Sequence, residues 1–250
     1  EIESPLLPSE EHVKAGREVY FGKGLCVTCH SNNGKGVQLP GHSPRDFTDF
    51  RKGTLREDGR LHRFTGACAP VVYRGDVLTA CRGDVFVSEP AGNLVRRART
   101  ATDEQGRMTA KNAHPNSEFM TSTDERFRPV NAQNGPDGAL YIVDFYRGII
   151  QHRIFMTTFL RKQVVARGLD KPIGCGRIYR VLPTNASIDV PPAASTLDNR
   201  ALVARLGDAN GFQRDVAQRL LVERKDRSVA AALRRVMKRS DHPLHRLHSL

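Results

Sequence analysis

Three residues near the start of the chain have types and spacing that can hold a metal or a cofactor. Cys26 and Cys29 are three positions apart, and His30 follows directly. Such a set could begin a disulfide, a zinc site, a dithiol redox pair or a covalent haem site. A structural zinc site needs four protein ligands, but no second Cys-x-x-Cys pair exists. The remaining cysteines lie singly along the chain at Cys68, Cys81 and Cys175.

The spacing of these residues fits covalent haem attachment best. Two thiols three positions apart match the two vinyl groups of one porphyrin edge, and the next residue then lies under the iron. We therefore predict that Cys26 and Cys29 form thioether bonds to a haem c and that His30 is its axial ligand. The flanks agree, since an amphipathic helix is predicted after Ser9 and a glycine-rich loop follows at 31–41.

A wider set of residues around this motif matches a known pattern. Its members are Gly16-x-x-x-Tyr20, the motif itself, Gly34-x-Gly36 and Leu39-Pro40. Together they resemble the first half of a class I cytochrome c domain, over roughly residues 9–61. The resemblance implies a small α-helical haem domain, in which the Pro40 carbonyl accepts a hydrogen bond from the proximal imidazole.

The distal haem ligand does not follow from this resemblance. Class I cytochromes c use a methionine, and here no methionine precedes Met108. The iron is then five-coordinate, or another side chain replaces the methionine, or the domain is incomplete. Candidate replacements are His42, His62, Met108 and Met120, although a surface or core role is the simpler interpretation of each. A histidine would lower the reduction potential.

The middle of the chain changes to strand-forming patterns. Residues 84–98 predict two short strands around a Pro-Ala-Gly-Asn turn. Pro136, Asp137 and Gly138 suit a tight turn, and the following strand, residues 139–146, is apolar on both faces. A strand of this kind is typical of a sheet stacked between other layers, as in a β-propeller.

Four long motifs in this region occur in an order that is typical of one group of proteins. They are residues 64–76, 83–97, 122–153 and 176–181. These motifs resemble late propeller blades of bacterial haem-binding Cys-x-x-Cys-His proteins, which are similar to quinone-dependent glucose and sorbosone dehydrogenases. The resemblance implies an exported propeller, often fused to helical repeats and to a cytochrome c. It identifies no catalytic residue in this chain.

A polar cluster within these motifs is a candidate ligand site. Its members are Asp144, Tyr146, Arg147, His152 and Arg153. They could line a ligand site at a propeller mouth. A structural network of ion pairs and turns is the simpler interpretation.

The last part of the chain is predicted to be helical. Residues 184–196 are rich in proline, alanine and serine and indicate a linker. Asp208 and Arg214 align with Asp241 and Arg246 at an offset of 32 to 33 residues, which indicates HEAT-like repeats. Two apolar stripes have helical spacing: Phe212, Val216 and Leu220 with Ala217 and Leu221, then Val229, Leu233 and Val236.

Composition limits the function classes further. The net charge is +12, and twelve lysines and arginines against five acidic residues in 200–250 carry +7 of it. A solvated helical face is the simpler interpretation of this excess, and we expect no nucleic acid partner. No run of about 18 apolar residues exists, so no membrane span is predicted. Because the chain starts at Glu1, we expect a processed form or a piece of a longer protein.

Together these features predict a multidomain α+β protein. A small α-helical cytochrome c-like segment, incomplete, is expected at 1–61, and a partial β-propeller at 62–183. A linker at 184–196 and α-helical HEAT-like repeats at 197–250 would follow.

The predicted function is c-type haem binding and electron transfer within a larger periplasmic or membrane-associated dehydrogenase-like protein. The partner would be a redox protein or a fused dehydrogenase domain. Because thioether haem is attached after export, the expected location is the bacterial periplasm or cell surface, with membrane association only through segments outside this chain. The alternative is a propeller and helical-repeat interaction module without redox activity.

Overall fold

A computed structural model describes most of the chain from Phe64 onward. The described residues are 64, 66–114, 117–152, 154, 156–184, 186, 188 and 190–250. The predicted haem segment, 1–61, lies outside them. Two compact units divide the described part. The first comprises residues up to Val72, Gly83–Gln133 and Tyr141–Arg180, and the second comprises Tyr73–Arg82, Asn134–Leu140 and Val181–Leu250.

An antiparallel sheet forms much of the first unit. Its strands are β1 (Cys68–Val72), β2 (Val85–Glu89), β3 (Leu94–Thr102), β4 (Met108–Asn112) and β5 (Met120–Thr121). They follow the order β1-β2-β3-β4, and β5 pairs with β3 as well. The long β3 has room for two neighbours on one edge, because Leu94 and Val95 pair with β5 while Ala98–Thr102 pairs with β4.

The β2–β3 hairpin confirms the predicted strand-turn-strand pattern. A 3-10 turn, Pro90–Gly92, joins the two strands, and Asn93 follows in the left-handed region at φ 53°. The side-chain amide of Asn93 donates through Nδ2 to the carbonyl of Phe127 at 2.5 Å. On the buried side of β2, the Phe86 ring meets Phe119 edge-on at 4.8 Å between centroids. Local turn chemistry and aromatic packing therefore both hold this hairpin in place.

Three further strands form a second sheet with the order β6-β7-β8. They are β6 (Pro129–Asn134), β7 (Leu140–Asp144) and β8 (Arg177–Val181), and helix α1 (Thr158–Ala166) precedes β8. The predicted turn is confirmed, and the strand after it spans Leu140–Asp144 within the predicted 139–146, but its second face, with Tyr141 and Val143, is only half-buried. Gly138 has φ 80°, and the Asp137 carboxylate accepts from the amide of Ala139 at 3.1 Å. Leu140, Ile142 and Asp144 are buried along β7.

Four helices are the main regular elements of the second unit. They are α2 (Asn199–Arg205), α3 (Gly211–Arg224), α4 (Ala230–Arg239) and α5 (Pro243–His248). Asp198 caps α2 by accepting from the amide of Ala201 at 2.7 Å. One cluster of buried residues forms the core of this unit: Ala194, Leu202, Val203, Leu206, Ala217 and Leu221. The second predicted stripe packs against it, as do Val216 and Leu220 of the first, whereas Phe212 does not belong to this set.

The predicted fold class is wrong. Described residues form two open antiparallel sheets with a few short helices, and neither sheet is part of a closed propeller. A propeller needs repeated four-stranded blades around one axis. Here the strand counts are five and three, and β5 adds to β3 outside the meander. Strand patterns along the sequence could not reveal that pairing.

The predicted HEAT-like repeats in 197–250 are wrong as well. The helices differ in length, with 7, 14, 10 and 6 residues. Residues that the repeat made equivalent lie in different surroundings: Arg214 is 2% exposed, whereas Arg246 is exposed. Asp208 is half-buried, whereas Asp241 is exposed. A shared residue type at a similar offset therefore did not reflect a shared structural role.

None of the helices in the described part is long and apolar enough to cross a bilayer.

Candidate functional site

Only part of the predicted haem site can be placed in the structure. Cys26, Cys29, His30, Pro40, His42 and His62 lie outside the described residues. Met108 starts β4 opposite Thr102 and is 79% exposed. Met120 is half-buried opposite Val95. These two positions lie seven residues apart along β3, or about 23 Å, so the structure does not bring the two methionines together.

The candidate ligand cluster centres on the buried carboxylate of Asp144, at the end of β7. Its Oδ1 accepts from the amides of Arg128 at 2.7 Å and Tyr146 at 2.8 Å. Its Oδ2 accepts from the hydroxyl of Tyr179 at 3.4 Å. Burial raises the pKa of Asp144, although these hydrogen bonds and nearby Arg177 act in the opposite direction.

Tyr146 is held in an unusual backbone conformation beside this carboxylate. Its φ of 48° lies in the left-handed region, which residues other than glycine adopt at a cost in energy. The guanidinium of Arg177 stacks 3.5 Å from the centre of the Tyr146 ring. Burial raises the pKa of the Tyr146 hydroxyl, and the Asp124 carboxylate raises it further.

Arg128 fixes the backbone on both sides of the cluster. Its guanidinium donates to the carbonyls of Pro90 at 2.7 Å, Gly148 at 2.8 Å and Arg147 at 2.9 Å. Burial lowers the pKa of Arg128. Gly148 packs so closely on Leu169 that a Cβ atom would overlap its backbone. The turn that follows β7 is therefore rigidly positioned at residues 144–148.

This turn carries one wall of an open cleft. The cleft has a volume of about 480 Å³, and its lining residues are Phe145, Arg147, Ile149, Ile150, Gln151 and His152. The Arg147 guanidinium lies 5.7 Å from the centre of the Phe145 ring. Phe145 and Ile150 are each about half exposed, at 46% and 48%. The cleft therefore combines partly exposed apolar side chains with one guanidinium and one imidazole.

The structure thus divides the predicted cluster into two groups. Asp144 and Tyr146 belong to a buried network, whereas Arg147 and His152 line the cleft. Arg153 lies outside the described residues. Sequence reasoning missed Arg177 and Tyr179, which complete the network. Arg177 and Tyr179 are two positions apart on β8, so their side chains lie on the same face of the strand. This spacing is the signal in the sequence that could have identified them as members of one cluster.

Other groupings within the described ranges offer no metal chemistry. No set of three or more histidine, cysteine, aspartate or glutamate residues there could hold a metal ion. No disulfide joins any two of the three cysteines that the structure describes.

Comparison with known proteins identifies the family. Residues 31–185 match the family described as Domain of unknown function (DUF7133). That match spans more than half of the 250 residues, and the chain therefore belongs to this family. No curated protein matches the chain, and no solved structure matches it.

Proposed function

We propose that this protein binds a c-type haem covalently and transfers single electrons. One observation carries the proposal: the Cys26-x-x-Cys29-His30 sequence supplies two thiols and an imidazole in the order and spacing that haem c requires. A structural zinc site would need a second pair of ligands besides the two cysteines, typically two more cysteines or two histidines. The chain has no second pair of cysteines with this spacing to provide them.

Each residue of the motif has a separate task in this proposal. The sulfurs of Cys26 and Cys29 form thioether bonds, which fix the orientation of the porphyrin. The imidazole of His30 ligates the iron, and the carbonyl of Pro40 orients that imidazole through a hydrogen bond. Bound haem supplies a one-electron couple, while the chain supplies ligation and burial. Thioether attachment occurs outside the cytoplasm, so the proposal includes export of the protein.

Covalent haem content tests this proposal directly. The chain is expressed with an export signal in a bacterial host that carries the cytochrome c assembly machinery. The purified protein should show a pyridine haemochrome spectrum and an intact mass larger by one haem. A Cys26→Ala/Cys29→Ala variant should lose both signals. Cys175→Ala is the matched control, because Cys175 is an exposed cysteine outside the motif, and it should retain both.

Two outcomes separate attachment from ligation. A His30→Ala variant should keep its thioether-bound haem but lose the absorption bands that report imidazole ligation of the iron, whether the wild-type iron has five or six ligands. If those bands were unchanged, His30 would not be the ligand. Colourless wild-type protein with the mass of the bare polypeptide, produced beside a correctly matured control cytochrome, would refute the whole proposal.

A further inference from the structure

Helix α4, Ala230–Arg239, carries an unusual concentration of positive charge. Four of its ten residues are basic, none is acidic, and all four basic side chains are exposed: Arg234, Arg235, Lys238 and Arg239. Between 225 and 239 the sequence has six lysines and arginines against one aspartate. That aspartate, Asp226, already accepts from Asn199 at 2.5 Å and from the amide of Ser228 at 2.9 Å.

The four cations of α4 lie on one side of the helix. At 3.6 residues per turn they occupy an arc of roughly 140° and a length of about 8 Å. Within the part of the chain that the structure describes, none of the four forms an ion pair or a side-chain hydrogen bond. Their charge is therefore directed to solvent as one continuous cationic surface, which we call the α4 basic face.

The opposite side of α4 is already occupied. Ala232, Leu233 and Val236 pack against the core that Leu202 and Leu206 help to form. The helix therefore has no free apolar face to insert into a bilayer, as an interfacial amphipathic helix would need. Its basic face remains available for an electrostatic contact.

Fold stability does not account for this arrangement. Arg234 and Lys238 are four residues apart, as are Arg235 and Arg239, and like charges at this spacing destabilise a helix. The helix dipole favours cations in the last turn, which covers Lys238 and Arg239. It does not account for Arg234 and Arg235, which lie before that turn.

We infer that the α4 basic face is a docking surface for an acidic protein. Charge complementarity calls for an anionic occupant, and three of the four cations are arginines, whose planar guanidinium groups pair in bidentate fashion with carboxylates and phosphates. No aromatic side chain of the kind that stacks on nucleotide bases interrupts the face. The inference is independent of the haem proposal, since it concerns a different part of the chain and its test measures binding, not redox activity.

The test uses the full chain and a defined probe. The probe is a fluorescein-labelled helical peptide with glutamates at i, i+3 and i+4 spacing, and a peptide with glutamine in place of glutamate serves as the uncharged control. Binding is measured by fluorescence anisotropy at salt concentrations from low to above physiological. Wild-type protein should bind only the acidic peptide, and the affinity should fall steeply with salt.

A pair of charge-matched variants locates the binding surface. In the first, all four residues of the α4 basic face are changed to glutamine. In the control, four other exposed cations are changed to glutamine: Arg99, Lys111, Arg161 and Lys162. Both variants lose the same net charge. The α4 variant should bind the acidic peptide at least about tenfold more weakly than wild type, and the control within about threefold.

Each other result overturns the inference. Equal weakening in both variants would show that net charge, and not this face, attracts the peptide. Binding to vesicles rich in phosphatidylserine, or to a DNA duplex, that depends on α4 and exceeds peptide binding would assign the face to a membrane or to nucleic acid. If the fourfold variant lost its helical circular dichroism, the double variant Arg234→Gln/Arg235→Gln would decide against its own charge-matched control, Arg99→Gln/Lys111→Gln. The α4 double variant should bind the acidic peptide at least about threefold more weakly than this control does, and equal affinities would overturn the inference.

Discussion

The buried carboxylate of Asp144 gives the sharpest test of the structure. It accepts from two backbone amides at the end of β7, those of Arg128 and Tyr146, and from the Tyr179 hydroxyl. Changing Asp144 to alanine removes every one of these acceptors. Changing it to asparagine keeps Oδ1 for the two amides, removes the charge and replaces the Oδ2 acceptor of the Tyr179 hydroxyl with an NH2 donor. The pair of variants therefore separates the two amide hydrogen bonds from the ionisation.

The expected magnitudes differ clearly between the two variants. A buried backbone donor without an acceptor costs about 1–3 kcal/mol. Asp144→Ala leaves two donors that are each partly buried, so we expect a loss of about 2 kcal/mol in the free energy of unfolding, near the lower end of that range for each. Asp144→Asn should cost less than about 1 kcal/mol at neutral pH, because it also removes the penalty of burying a charge.

The pH dependence of the two proteins should differ as well. Burial raises the pKa of Asp144 in the folded state, whereas an aspartate in the unfolded chain titrates near pH 4, about its ordinary value. Folding therefore favours the protonated form. Wild-type stability contributed by this group is fully present below the unfolded pKa and is lost as pH rises through the folded pKa. Asparagine does not titrate, so Asp144→Asn should gain stability relative to wild type across that window.

Urea unfolding and hydrogen exchange together measure these effects. The chain has five tyrosines and no tryptophan, so tyrosine fluorescence and far-ultraviolet circular dichroism follow the transition. Because two compact units can unfold separately, exchange of the β6 and β7 amides supplies a local measure. Alanine and asparagine variants within about 0.5 kcal/mol of each other would refute the role assigned to the two amides.

Two further substitutions test the second unit, each against a control, of which Gly106 lies in the first unit. Leu202 is fully buried in the helical core, so Leu202→Ala should lower the free energy of unfolding in urea by about 3 kcal/mol. The control Leu247→Ala changes a residue that is 57% exposed and should cost less than about 0.5 kcal/mol. Equal losses in the two variants would contradict the packing of Leu202. At Gly138, with φ 80°, an added Cβ would overlap the Asp76 carboxylate, so Gly138→Ala should lower the thermal midpoint well beyond Gly106→Ala. Gly106 has a similar φ of 76° but no neighbouring atom within 4 Å, and the backbone cost alone is about 1 kcal/mol.

Local patterns predicted the local structure well. The two hairpin turns were recognisable because Asn93 and Gly138 suit positive φ angles and stand between strand-forming runs. The helices at 211–224 and 230–239 were recognisable from the spacing of their apolar residues. In each case the signal and the structure involve residues only a few positions apart.

Long-range pairing was not predictable in the same way. The addition of β5 to β3 joins Met120 to Val95 across 25 positions, and a two-residue strand has no periodicity to detect. The burial of Arg214 was missed for a related reason. Its guanidinium donates to the carbonyls of Asp208 at 2.6 Å and Ala209 at 3.0 Å, contacts that depend on the turn between two helices and not on a repeat.

The positively charged side chains on β3 and on α4 differ in whether they pair with a carboxylate. In the first unit, arginines on β3 pair with buried carboxylates: Arg96 with Glu118, and Arg97 with Asp84 at 2.6 Å. Removing one partner of such a pair leaves a buried charge uncompensated, so these charges are part of the fold.

The cations of α4 have no such partners within the described residues, and their exposure means that neutralising them removes no buried contact. A cation that the fold needs should reduce stability when it is neutralised, whereas a cation kept for a partner should reduce binding alone. Arg97→Gln should therefore lower the free energy of unfolding and leave peptide binding unchanged. The fourfold glutamine variant of the α4 basic face should do the opposite.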